Sequence, residues 1–342
     1  MQKEIVAATD ILDAEGRLAV SGWARTDLFR YDPSRIRTGK LSVKAWDFWE
    51  LYDEDYRVIL NIYDIGYAGV AQFGFTSFKE NRTVARSIVK LLPAGSIGNP
   101  PALRYDAPLE VTSPRGCMRF SQNGASVALE CGFPETGSGA AVSFKATLTV
   151  DPGMDRMVNA IPFRDPKRFA YAIKMVCLPL REDAVLEVGD ERVVLGAERA
   201  FGVLDWTRAV FPYRNRWKWC SASGRLRGVP FGFNLDYGFG TESSKNMLFL
   251  DGVGHHLDEV AYRHGADLTK DLAITSNDDR VNLILHPTFV ERPGTDLGLL
   301  AMKGLATYGF FTGRVVLDSG ETLEIRESDR LFGWAEDYYQ RW

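Results

Sequence analysis

The densest grouping of residues able to bind or react lies at 202–223, GVLDWTRAVFPYRNRWKWCSAS. In a strand, side chains alternate between faces, so Trp206 and Arg208 share one face. Trp217 and Trp219 likewise share a face, with Arg216 and Lys218 on the other, and Tyr213 adds a phenol between the two runs. Neighbouring indoles beside a guanidinium form a flat apolar wall with one fixed positive charge. Such a wall suits a large, mostly apolar ligand with a single polar or anionic group. The expectation is that this wall lines a cavity. The same spacing also fits tryptophans that only fill a β-core. Its basic–aromatic interleaving alone would fit a single-stranded nucleic-acid platform, but a formal net charge of −4 supplies no general attraction for phosphates.

A second run, FGFNLDYGFG at 231–240, places Phe231, Phe233, Leu235 and Tyr237 on one face and Asn234 and Asp236 on the other. Asp236 is a candidate general acid or base if its face borders a cavity, and a solvated carboxylate if it does not. In RVNLILHPTFVER at 280–292, His286 is a candidate for proton transfer near neutral pH, or a hydrogen-bonded structural histidine ahead of Pro287. His255 and His256 are adjacent, so in a strand they diverge and do not readily share a metal; no metal ligand set is expected. A sugar hydrolase would need paired carboxylates. Asp236, Glu242 and Glu291 are available in the sequence, without a spacing that pairs them.

Several chemistries are disfavoured. There is no P-loop and no G-x-S-x-G elbow, and the glycines at 232, 238 and 240 do not spell G-x-G-x-x-G, so no nucleotide cofactor is expected. Cys117, Cys131, Cys177 and Cys220 form no C-x-x-C pair. The opening residues MQKEIVAATD lack the apolar run of a secretion signal, and the longest apolar region, 58–75, is interrupted by Asn61 and Asp64. A cytoplasmic chain with reduced thiols, no transmembrane segment and no nucleic-acid partner is the expectation.

The elements that must carry these residues have a period of two. Val142, Phe144, Ala146, Leu148 and Val150 alternate with Ser143, Lys145, Thr147 and Thr149. Hairpin turns are predicted at Gln122-Asn123-Gly124, Val188-Gly189-Asp190 and Asp318-Ser319-Gly320. Residues 83–92 fit a short helix or a strand, and 337–342 a terminal turn. The 342 residues and 12% aromatic content fit an all-β chain of two domains, split within the proline-bearing stretch 150–167. That split gives residues 1–160 and 161–342, the second half carrying the aromatic and arginine-rich motifs.

Taken together, GVLDWTRAVFPYRNRWKW, GFNLDYGFG, KNMLFLDG, HHLDEV, the early SGWAR and the closing GFFTGRVVLDSGETLEI and GWAEDYYQRW resemble a bacterial domain-of-unknown-function family, number 2804. That family is grouped with the lipocalin-like AttH proteins, carotenoid 1,2-hydratases (hydroxyneurosporene synthases) and tocopherol cyclases. The resemblance implies two calycin-like antiparallel β-barrel domains packed together with minimal helix, and a cavity for a small apolar or amphipathic ligand such as a lipid or isoprenoid. It also implies acid–base hydratase, isomerase or cyclase chemistry, which needs a buried acid and cation-stabilising rings; Asp236 and Trp206, Tyr213, Trp217 and Trp219 are the residues of those types here, though the hydratases' catalytic motif itself has no residue-by-residue match. The family pattern has Gly where Asp236 and Ala209 stand, and the stretch around His286 departs from it. The residues leave three readings open: an enzyme of that type, a non-catalytic carrier of hydrophobic ligands, and a carbohydrate-active or carbohydrate-binding β-protein. The candidates are Asp236 and His286 for catalysis, and Trp206, Arg208, Tyr213, Trp217, Trp219 and Asn234 for ligand binding.

Overall fold

The computed structural model describes residues 2–137, 139–240, 245–263, 267 and 269–342. Among these the chain is built of β-strands, with three short 3-10 turns and no α-helix. It divides into two compact units: residues 1–36, 155–177 and 211–342 form one, and residues 37–154 and 178–210 the other.

In the second of these, Phe201–Val210, Val43–Tyr52, Tyr56–Asp64, Ala68–Ser77 and Arg82–Leu91 pair side by side, all antiparallel. The segment that fitted helix or strand is therefore a strand: its Val84 pairs with Phe75 and its Ile88 with Ala71. A six-stranded sheet runs in the order Glu191–Leu195, Ala184–Val188, Val142–Thr149, Ser126–Phe133, Gly116–Asn123, Leu109–Ser113. Alternation drives its one-sided burial: Val142, Phe144, Ala146 and Leu148 are buried while Ser143 and Lys145 are exposed. Its expected hairpins form, with Gly124 and Gly189 at φ 58° and 59°, which β-carbon-bearing residues adopt at a cost. The inner faces of the two sheets meet through Phe73 against Phe133, ring centres 6.3 Å apart.

The other unit is dominated by an eleven-stranded antiparallel sheet. Its main path runs Val253–His256, Met247–Leu250, Val229–Tyr237, Arg214–Leu226, Phe332–Arg341, Ala301–Val316, Val281–Glu291, Leu272–Ser276, Val260–Arg263. The two ends of this path are joined in the chain by residues 257–259 alone. Three residues span roughly 10–14 Å at most, so the sheet must curl until its edges meet, as in a barrel. Tyr262 marks the approach by donating a 2.9 Å hydrogen bond to the Leu235 carbonyl. The terminal segment 337–342, expected as a turn, mostly continues the strand Phe332–Arg341. It sits between Arg214–Leu226 and Ala301–Val316, and both neighbours satisfy its backbone groups.

The barrel interior is filled, not hollow, over most of its depth. Phe231, Phe233, Leu283, Leu285, Phe311 and Ile325 belong to one buried cluster with Cys220, Ala222 and Ala335. Phe233 and Phe311 meet edge to face, 5.1 Å apart. The small residues Cys220 and Ala222 face this core because the phenylalanines occupy the volume. This fixes the parity of the whole Arg214–Leu226 strand. Gly22–Ala24, Met157–Pro162 and most of Phe169–Pro179 form a further antiparallel layer of the same unit.

Candidate ligand site

Parity places Arg216 and Lys218 on the barrel's inner side and the tryptophans on its outer side, the reverse of the expected lining. Above the phenylalanine core the barrel mouth opens into a cavity of about 400 Å³. Arg216, Lys218, Tyr262, Leu272, Lys303, Leu305, Thr307, Ala335 and Asp337 line it, and Lys270 stands at its border. Four cations thus surround it, and the carboxylates of Asp337 and Asp296 pair with three of them. Asp337 accepts two hydrogen bonds from Arg216, at 2.9 and 2.8 Å, and lies 3.7 Å from Lys218. Glu336 is turned to the other face, where it accepts from the Trp217 indole at 2.9 Å. Lys303 pairs with Asp296 at 2.7 Å on the rim. The result is an apolar floor under a cationic rim. Burial holds the Tyr262 phenol protonated far above its usual range, so it acts here as a donor.

On the barrel's outer face lies a buried polar cluster. The Trp219 indole donates to Asn234 Oδ1 at 2.7 Å, and Asn234 Nδ2 donates to the Lys245 carbonyl at 2.7 Å. Asp236 pairs with Lys245 at 2.8 Å, both side chains nearly inaccessible, and its backbone N–H donates to Asn246 Oδ1. The ammonium of Lys174, from the Phe169–Pro179 strand, sits 3.8 Å from the Trp219 ring centre. Trp219 meets Trp334 edge to face at 5.1 Å, and Trp217 stacks on Tyr338 at 5.7 Å. The face holding Asn234 and Asp236 is thus buried, not solvated. The Lys245 ammonium offsets the charge of Asp236 at this buried position.

Of the candidates from sequence, Asp236, Asn234, Trp217 and Trp219 come together in this outer cluster. Trp206 and Arg208 belong to the other unit. There Arg208 Nη2 donates to Asp47 at 2.8 Å, and its remaining nitrogens donate to the carbonyls of Pro100, Trp46 and Thr207. Tyr105 and Asn99 also donate to Asp47, at 2.9 and 2.8 Å. The Arg208 guanidinium lies 3.9 Å from the Trp206 ring, so both are core residues of a buried network. Tyr213 is 48% exposed and donates to the Leu299 carbonyl. His286 is bound to Thr312 at 2.8 Å and Asp271 at 3.1 Å, neither of which belongs to the Asp236 cluster. Glu242 lies outside the described residues. Tyr262, Leu272, Lys303 and Leu305 were not singled out from sequence. Their signal was parity with Arg216 and Lys218 across paired strands, which needs the register of Ala301–Val316 on Phe332–Arg341.

Three of the four cysteines, Cys131, Cys177 and Cys220, are buried, and Cys117 is exposed. Burial pushes the Cys177 thiol up to about 12 and raises Cys131 and Cys220 as well. No helix among the described residues is long and apolar enough to cross a membrane.

The sequence of residues 2–342 matches the family described as Domain of unknown function (DUF2804). The chain belongs to this family. Among solved structures, this DUF2804 protein shares its fold with kievitone hydratase from Nectria haematococca. The TM-score is 0.53 at 10% identity, covering 87% of this chain and 88% of the other. A protein assigned as AttH from Nitrosomonas europaea aligns with a TM-score of 0.44 at 12% identity, over 86% of this chain and 91% of its own. No curated protein matches the sequence. The all-β, largely antiparallel architecture expected from the sequence is the one observed.

Proposed function

We propose that this DUF2804 protein binds a small amphipathic molecule in the barrel mouth, its apolar part on Leu272, Leu305 and Ala335 and an anionic group on the cationic rim. The observation that carries the reading is the 400 Å³ cavity with apolar floor and four surrounding cations. That volume falls within the range of small-molecule sites. The nearly filled core below it sets a short ligand, since Phe233 and Phe311 block deeper entry. The test is a titration with laurate and with the uncharged lauryl alcohol. Laurate binds one to one, roughly tenfold tighter than the alcohol, and Lys218→Gln weakens it about fivefold, the effect of losing about 1 kcal/mol of charge pairing. Equal affinity for acid and alcohol, unchanged in that variant, would contradict the reading.

A second reading is favoured by the outer cluster. Kievitone hydratase is named for a hydration, and a buried carboxylate among indoles is suited to taking a proton from an attacking water. On that reading Asp236 is the base, Trp217, Trp219 and Asn234 hold the substrate, and ligand perturbs the Trp219 indole signal instead of the Leu272 and Leu305 methyls.

A further inference from the structure

Beside the barrel mouth, on the same unit, lies an open depression of about 870 Å³ that the amphipath reading does not use. Arg164, Arg168, Arg214 and Arg216 border it, against one acidic side chain, Asp165. Phe163 and Tyr339 supply ring surface along its wall. Arg168 is held in place by its 3.0 Å hydrogen bond to the Phe211 carbonyl. Arg164 and Arg214 are exposed and form no ion pair with any described residue. Asn215 also lines the depression, is only 9% exposed, and its Nδ2 has no hydrogen-bond partner among the described residues. A buried amide donor without an acceptor is unfavourable. A ligand oxygen would remove that cost. The surrounding guanidiniums offer fork-shaped donors that match tetrahedral oxyanions.

We propose that this depression binds a phosphate-bearing small molecule, its oxyanion held by Asn215 Nδ2 and the arginines 164, 168 and 214, and its body against Phe163 and Tyr339. The phosphate can belong to a soluble metabolite or to a lipid headgroup, and the test separates the two. Pyrophosphate is titrated into the full chain and followed by the Asn215 side-chain amide signal in NMR. Saturable binding is expected, weakened at least tenfold by the double variant Arg164→Gln/Arg214→Gln, whose exposed sites leave the melting temperature unchanged. Asn215→Asp, which keeps shape but reverses the polarity and is followed by titration calorimetry because it lacks the amide, weakens it to a similar degree. In parallel, sedimentation is measured with phosphatidylcholine vesicles with and without phosphatidic acid. Capture by the acidic vesicles that the double variant abolishes assigns the headgroup; pyrophosphate binding without capture assigns a soluble ligand. Absence of saturation by about 10 mM, or equal affinity in wild type and double variant, overturns the proposal. The laurate and pyrophosphate titrations read different residues, so either reading fails without the other.

Discussion

Arg208 directs its donors at protein oxygens, and Asp47 receives Arg208, Tyr105 and Asn99 at once. Both side chains are buried, and their polar groups serve the protein's own network. Arg208→Met should therefore act on stability, lowering it by about 3–5 kcal/mol, because Asp47 stays buried without its cation. Urea denaturation checks this, and an unchanged midpoint would show that the pair is not closed in solution. His256 offers a second test at this scale. It stacks on Trp23, 3.9 Å between ring centres, and burial followed by the nearby Arg25 lowers its pKa to about 4. A histidine lowered on folding binds its proton more readily unfolded. Its contribution is thus fully present above about pH 6.5 and is lost as pH falls from there toward 4. A fall of about 3 kcal/mol over that window is expected from this group, and His256→Phe, which keeps the ring, should flatten it.

The Arg214–Leu226 strand gives each of its faces a different job. Replacing Trp219 with Ala removes its bond to Asn234, its contact with Lys174 and its packing on Trp334. The expected loss is about 3–5 kcal/mol of stability with little direct effect on a ligand in the mouth. Replacing Lys218 with Gln should do the opposite, since it leaves no buried group unpaired. Paired melting and laurate-binding curves for the two variants separate the faces. The sequence showed that Trp217 and Trp219 share a side, because alternation is local. It did not show which side is the interior. That depends on the bulk of Phe231, Phe233 and Phe311 across the barrel, which leaves room only for Cys220 and Ala222 on this strand. Hairpins with a local glycine signal were legible for the same reason. The closing strand was not: residues 337–342 carry no strand signal of their own and are extended because two neighbours pair with them. Likewise Asp47, the partner that ties down Arg208, is 161 residues away in sequence and no spacing could point to it.

Across the whole molecule the formal charge is −4, yet cations gather around the barrel mouth and the neighbouring depression. Such local concentration attracts anionic ligands without a basic chain overall. Salt should weaken laurate binding several-fold between low and physiological ionic strength, since the rim is exposed and screened. The most direct test of the amphipath reading is an NMR measurement on methyl-labelled protein with bound laurate. The account predicts contacts from the laurate chain to the Leu272 and Leu305 methyls. Contacts to the Trp217 and Trp219 indoles, with those methyls unmoved, would contradict it.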